Sequence, residues 1–205
     1  MCSHTPASLS YCALQTMIDR HAIHADGTLH ADHQRCVIRF VRVLTHPVDR
    51  VWTSITDPAH LIEWWGDAGA DLRAGGAFVV RWLNTDDDGN TATLHGTITD
   101  LEPPNLLEIA GDIHGVLRFA LHQVDLGTLL TFSSTVDLPG EVRTKILAGW
   151  HFHLDALATT LAAGSVDLAG LSGWPAIHQR YEERAQSTPR PNTRNLGVNV
   201  VKTVT

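Results

Sequence analysis

The sequence predicts an α+β domain in which a curved antiparallel β-sheet grips one long helix near its C-terminal end. Short strand patterns broken by Gly, Pro and Asp turns run through the middle of the chain, and a single amphipathic stretch around Gly149-Trp150-His151-Phe152-His153-Leu154-Asp155-Ala156-Leu157 follows them. Two short helical patterns interrupt the strands early. A sheet with one apolar face needs a partner layer, and one long helix supplies it.

The first strand is 35–44, where Cys36, Val37, Ile38, Phe40, Val41, Val43 and Leu44 give a β-rich run that His46-Pro47 stops. Pro47 sits at the first turn of a helix over 47–55, with Val48, Val51, Trp52 and Ile55 at helical spacing and therefore assigned to the core. Asp57 caps a shorter helix, with Pro58 at its first turn and Leu61, Ile62, Trp64 and Trp65 on its apolar side. Strands are then expected over 70–72, 77–83, 91–101, 106–110, 116–124 and 128–138, separated by Gly75-Gly76, the acidic loop ending in Gly89, Pro103-Pro104, the 111–115 turn and Asp125-Leu126-Gly127. Pro139-Gly140 ends the last of them. The long helix is expected over 141–163, with Ile146, Trp150, Leu154, Leu157 and Leu161 facing the sheet and Gly164 as its C-terminal cap.

Outside this frame, residues 1–34 form an N-terminal extension with a hairpin that turns at Asp26-Gly27, between arms at 22–24 and 28–30. Residues 165–186 form an accessory helical segment, and 187–205 a polar, flexible tail. Met17 begins a segment closer to the first strand, so residues 1–16 are expected to add little stability.

The net charge of −7, with 22 acidic against 15 basic residues and no basic run, argues against nucleic acid as a partner. No stretch reaches the roughly 20 apolar residues of a membrane helix, and no secretory signal precedes the domain, so a cytoplasmic protein with no membrane partner is expected. Cys2, Cys12 and Cys36 make no C-x-x-C pair and read as reduced thiols. Among 13 histidines, His151 and His153 lie about 200° apart on a helix and cannot share an ion, and His4, His21, His24, His30 and His33 read as solvated. The segment 84–89 opens like a calcium loop, but His95 stands where a bidentate Glu is needed. No metal and no cofactor are expected.

The pieces Pro47-Val48-Asp49-Arg50-Val51-Trp52, Thr56-Asp57-Pro58-Ala59-His60-Leu61 with Trp64-Trp65-Gly66, Asp71-Leu72-Arg73-Ala74-Gly75-Gly76-Ala77-Phe78, His95-Gly96-Thr97-Ile98 with Leu101-Glu102-Pro103-Pro104-Asn105-Leu106, and Gly149-Trp150-His151 with Leu154-Asp155-Ala156-Leu157 follow one another along the chain. They resemble the SRPBCC or START-like helix-grip superfamily, and within it the group of activators of heat-shock-protein ATPase homologues. The similarity covers roughly 36–164 and places the domain at 35–164. It implies an apolar cavity between sheet and long helix; the alternative is a filled core.

Strand alternation puts Phe78, Val80 and Trp82 on one face, and likewise Leu117, Phe119 and Leu121, and Leu130, Phe132 and Val136 with Ser134 as a polar handle. The candidate ligand-binding residues are therefore Trp64, Trp65, Phe78, Trp82, Phe119, Phe132, Trp150 and Leu154, where Trp64 and Trp65 either rim the cavity or anchor the short helix. No catalytic motif is present: Ser133-Ser134-Thr135 lies within a strand, and Gly75-Gly76 precedes a strand where a phosphate loop precedes a helix. Whether His95, Glu108, Arg81 and Arg118 face inward depends on the strand register. The expected function is non-catalytic binding of a hydrophobic or aromatic small molecule. The alternatives are a co-chaperone-like activator whose partner is a chaperone, and an enzyme of the polyketide cyclase or aromatase type.

Overall fold

Alternating β-branched, aromatic and polar residues build one antiparallel sheet, and turn residues set its strand breaks. The computed structural model describes residues 26–32, 35–85, 88–137 and 139–187. In chain order the elements are β1 (Thr28–Asp32), β2 (Arg35–Leu44), α1 (Val48–Thr56), α2 (Pro58–Leu61), β3 (Asp67–Ala70), β4 (Ala77–Arg81), β5 (Thr93–Glu102), β6 (Leu106–Gly111), β7 (Val116–Val124), β8 (Gly127–Asp137), α3 (Gly140–Leu161) and α4 (Trp174–Ser187). The strands are ordered β1-β2-β8-β7-β6-β5-β4-β3. Consecutive strands β3 to β8 form the expected meander, and β2 closes onto β8 because α1 and α2 carry the chain away from its own neighbour.

The sheet starts earlier than expected. Residues 28–30, expected as one arm of a hairpin turning at Asp26-Gly27, belong to Thr28–Asp32, which pairs with β2, Thr28 opposite Arg39 and Asp32 opposite Arg35. The other expected arm, 22–24, lies outside the described residues, as do residues 1–16, His4, His21, His24, His33, Cys2, Cys12, two aspartates of the acidic loop and the tail from 188. The strand expected over 70–72 is displaced to Asp67–Ala70. Asp71 and Arg73 form an exposed ion pair at 2.8 Å, and Leu72 is turned out to solvent, so the pattern that suggested a strand belongs to a turn.

Trp52 corrects another assignment. Val51 and Ile55 are fully buried, but Trp52 is only partly so, packed on the edge of the core. Trp52→Ala is therefore expected to cost about 1–2 kcal/mol in denaturant unfolding, not the roughly 3–5 kcal/mol of a fully buried tryptophan. A loss above that range would return Trp52 to the core.

The long helix ends at Leu161, two residues earlier than Gly164 as its cap suggests. Ala163, at φ 67°, takes the left-handed position; its N–H donates to the Thr160 carbonyl at 3.1 Å, and the Gly164 N–H donates to the Thr159 carbonyl at 3.0 Å. That is a Schellman motif with alanine where glycine is usual. Burial also runs round α3, since Leu147, Ala148, Trp150, His151, Phe152, His153, Leu154, Ala156 and Leu157 are all enclosed while Ile146 is only partly so. The sheet covers one side and α4 another, which a single apolar stripe does not anticipate. Among the described residues no helix is long and apolar enough to cross a membrane.

Candidate functional site

The site begins at α2. The Asp57 side chain accepts the Ala59 N–H at 2.9 Å, Pro58 starts the turn, and the chain leaves it with Trp64 and Trp65 turned inward. Strand alternation on β4, β7 and β8 brings Phe78, Phe119 and Phe132 to the same face, Trp82 joins them just past the end of β4, and α3 lays Trp150 and Leu154 over them. All eight residues named from the sequence are buried, and the seven rings are in mutual contact. Ring centroids are 4.3 Å apart for Phe132 and Trp150, 4.9 Å for Phe119 and Phe132, 5.2 Å for Trp65 and Trp150, 5.4 Å for Trp64 and Trp65, 5.8 Å for Trp65 and Phe78, and 6.3 Å for Trp65 and Trp82. Such spacings are those of packed aromatic pairs, so the rings fill the space between Phe132 and Trp150.

Two histidines enter this cluster. The His153 Nδ1–H donates to the Trp64 carbonyl at 2.9 Å, and its Nε2 accepts from Trp82 Nε1–H at 3.0 Å, which assigns a neutral tautomer. Burial lowers its pKa to about 4, against the backbone bond from Trp64, which raises it. His114 comes from the turn between β6 and β7, with its ring 5.2 Å from Trp82 and 5.6 Å from Trp150. Burial, then His153, lower its pKa to about 4, with Asp112 opposing. Trp64 Nε1–H donates to the Ser54 carbonyl at 2.8 Å. By contrast, the buried nitrogens Trp65 Nε1, Trp150 Nε1 and His114 Nδ1 have no hydrogen-bond partner. Ser134, the expected polar handle, is buried on the inner face, but its hydroxyl donates to the His114 carbonyl at 2.9 Å.

The register turns the four ionisable candidates outward. Glu108 and Arg118 sit opposite each other on β6 and β7 and pair at 2.7 Å, Arg81 pairs with Asp67 at 3.0 Å, and His95 is exposed. Each alternates with a buried neighbour: Leu107, Leu117, Val80 and Leu94 take the inner face. Among the described residues no group of three or more His, Cys, Asp or Glu is placed to hold a metal ion.

A second constellation was not read from the sequence. On the far side of α3 from His153, His151 Nδ1 accepts from the Tyr181 hydroxyl at 2.7 Å, and its Nε2–H donates to Asp155 at 3.0 Å. Tyr181 in turn accepts the Gly27 N–H at 2.7 Å, and Arg42 reaches Asp155 at 3.2 Å. Burial works to raise the Asp155 carboxyl, but His151 and Arg42 outweigh it and hold it below its ordinary value. Burial pushes the Tyr181 hydroxyl up to about 12, so it stays protonated. Asp26 completes the group by pairing with Arg180 and Arg184. The network ties the start of the described chain to α4 across the long helix. Only the i, i+4 spacing of His151 and Asp155 hinted at it. Tyr181→Phe leaves the Gly27 N–H and His151 Nδ1 unpaired, so a loss of about 1–3 kcal/mol is expected in denaturant unfolding. An unchanged midpoint would show that the hydroxyl holds nothing.

A groove of about 530 Å³ lies outside the cluster, lined by Arg50, Ile62, Leu83, Thr160, Val166 and Leu168 among others. None of the eight candidate residues lines it. Its walls nevertheless share two segments with the cluster, because Ile62 and Glu63 precede Trp64 and Trp65, and Leu83 follows Trp82.

Comparison with known proteins agrees with this architecture. No curated protein matches the chain. Among solved structures, a conserved protein of unknown function from Enterococcus faecalis is 21% identical with a TM-score of 0.62, over 86% of this chain and 98% of that one. CalU16 from Micromonospora echinospora is 25% identical with a TM-score of 0.57, over 78% of this chain and 94% of that one. DynU16, a protein of the dynemicin biosynthetic locus, is 24% identical with a TM-score of 0.56, over 63% of this chain and 48% of that one. The family model described as Activator of Hsp90 ATPase homolog 1-like protein matches residues 45–162, from the end of β2 through α3. That match spans more than half of the sequence, and with the helix-grip architecture behind it the chain belongs to the Activator of Hsp90 ATPase homolog 1-like family.

Proposed function

We propose that this protein binds a hydrophobic or aromatic small molecule, without chemistry, between its sheet and α3. One observation carries the reading: two tryptophans at the centre of the apolar cluster, Trp65 and Trp150, bury their indole N–H groups with no acceptor. A cluster selected for stability alone would be better served by phenylalanine or leucine at those positions, since each buried unpaired donor costs about 1–3 kcal/mol. The outward register of His95, Glu108, Arg81 and Arg118 favours binding over acid–base catalysis, because those four groups stand on the opposite face. Burial of ligand surface against Trp64, Trp65, Phe78, Trp82, Phe119, Phe132, Trp150 and Leu154 would supply most of the affinity, at roughly 25 cal/mol per Å² before ordering costs. The compartment we assign is the cytoplasm, where a buried free thiol such as Cys36 stays reduced.

The test is saturable binding of a neutral apolar dye, such as Nile red, read by quenching of tryptophan fluorescence. One site per chain is expected, together with a small molecule that co-purifies from the native host and is lost on solvent extraction. Failure of the dye to saturate, with nothing co-purifying, would leave the filled core as the only role of the cluster.

A further inference from the structure

The polar atoms inside the aromatic cluster define what kind of molecule it would take. Trp64 and Trp82 use their indole N–H groups within the protein, on the Ser54 carbonyl at 2.8 Å and His153 Nε2 at 3.0 Å. Trp65 and Trp150, 1% and 2% exposed with ring centroids 5.2 Å apart, do not. A third buried nitrogen without a partner, His114 Nδ1, belongs to a ring 5.6 Å from Trp150. Three unpartnered ring nitrogens therefore lie in one group of contacting rings, in surroundings where an unmade hydrogen bond is most costly.

We infer, resting on the binding reading above, that the ligand is a neutral planar aromatic compound bearing a carbonyl-type oxygen, which takes the place of the His114 imidazole and accepts from the Nε1–H groups of Trp65 and Trp150. The oxygen follows from the donors: an indole N–H can only donate, so its partner must be an acceptor. Neutrality follows from the surroundings. The titratable side chains in the cluster are His114 and His153, both held uncharged by burial, while Arg42 is committed to Asp155 and Arg81 and Arg118 stand on the outer face. A carboxylate would be buried here without a countercharge. Planarity follows from what stands there now. The cluster is filled, so a ligand must displace a side chain, and His114 is half-buried on a turn while the other rings are nearly or fully enclosed. Its flat, polar, heteroaromatic ring between Trp82 and Trp150 is the shape the ligand would replace.

Three naphthalenes of matched size separate the possibilities: ethylnaphthalene with no acceptor, acetonaphthone with a neutral carbonyl, and naphthoate with a charge. They would be titrated into the ¹⁵N-labelled full chain, with affinities from calorimetry and indole N–H signals from NMR. Acetonaphthone is expected to bind about tenfold more tightly than ethylnaphthalene, the worth of one to two buried hydrogen bonds. The Trp65 and Trp150 indole protons should move downfield with it. Trp150→Phe should cut the preference for acetonaphthone to about threefold, since Trp65 still donates, and His114→Ala should tighten both by removing the competitor. Should Trp150→Phe not fold, the indole shifts of the unaltered protein decide alone. Equal affinities with unmoved indole signals would overturn the acceptor assignment and leave apolar binding standing. Tightest binding by naphthoate would overturn neutrality, and no binding by any of the three would overturn the binding reading itself.

Discussion

Phe132→Arg is expected to abolish the cooperative unfolding transition and leave an insoluble or molten chain. Phe132 is fully buried in β8, directly opposite Phe40 on β2 and Phe119 on β7, so three phenylalanines form a ladder across the sheet. Trp150 closes over it at 4.3 Å. A guanidinium at that position would stand among the rings of Phe40, Phe119 and Trp150 with no countercharge supplied by them, so its burial costs several kcal/mol on top of the roughly 3–5 kcal/mol lost with the phenyl ring. The total reaches the 5–15 kcal/mol that holds a typical domain together. Had the space under Trp150 been a roomy cavity, the same side chain would reach water and the fold would survive. Circular dichroism and solubility decide the matter, with Phe132→Leu as the control at a cost of about 1–2 kcal/mol. A soluble Phe132→Arg protein that melts cooperatively near the unaltered temperature would refute the packing described above.

The inner face of each strand is legible in the sequence because a strand has a period of two, but the alignment of Phe40, Phe132 and Phe119 across three strands is not, since it depends on register. Alternation puts Phe78, Trp82, Phe119 and Phe132 on inner faces, and all are buried. Helices are less legible, for two physical reasons. A stripe at helical spacing marks which side of α3 meets the sheet but not that α4 would cover another, so the enclosure of His151 by Tyr181 went unseen. Spacing alone also cannot say how much of a large side chain overhangs the rim, and Trp52 shares its stripe with Val51 and Ile55 while being only partly buried. The helix end was placed at Gly164 by the ordinary preference for glycine, whereas Ala163 takes the left-handed turn and Gly164 is required by the Thr159 side chain and carbonyl that its Cβ would strike. As for the site, the residues that come together were readable from alternation. The polar interior is not, because it depends on which indoles find acceptors, and those acceptors are the Ser54 carbonyl in the preceding helix and His153, far along the chain.

Lowering the pH from about 7 to about 4.5 is expected to remove about 2 kcal/mol of stability through either the buried His153 or the half-buried His114, and up to about 5 kcal/mol through both. Burial brings His153 and His114 from an ordinary value of 6.5 down to about 4 in the folded protein. Between those two values the unfolded chain binds protons that the folded chain refuses, so protons favour unfolding. The stabilising effect of keeping both rings neutral is therefore fully present above about 6.5, shrinks as the pH falls through the interval, and is exhausted below about 4. Asp155 acts in a different window. Its folded pKa is depressed, so its contribution is lost only as the pH falls below the ordinary carboxylate range. Because His153 uses one nitrogen to donate to the Trp64 carbonyl and the other to accept from Trp82, glutamine is the substitution that can keep both bonds without a titrating ring. Denaturant midpoints measured across the interval should fall steeply for the unaltered protein and by about half as much for His153→Gln. A midpoint that stays level down to about pH 4.5 would mean that these histidines are already solvated or already charged in the folded state, and the hydrogen-bonded tautomer assigned to His153 would be wrong.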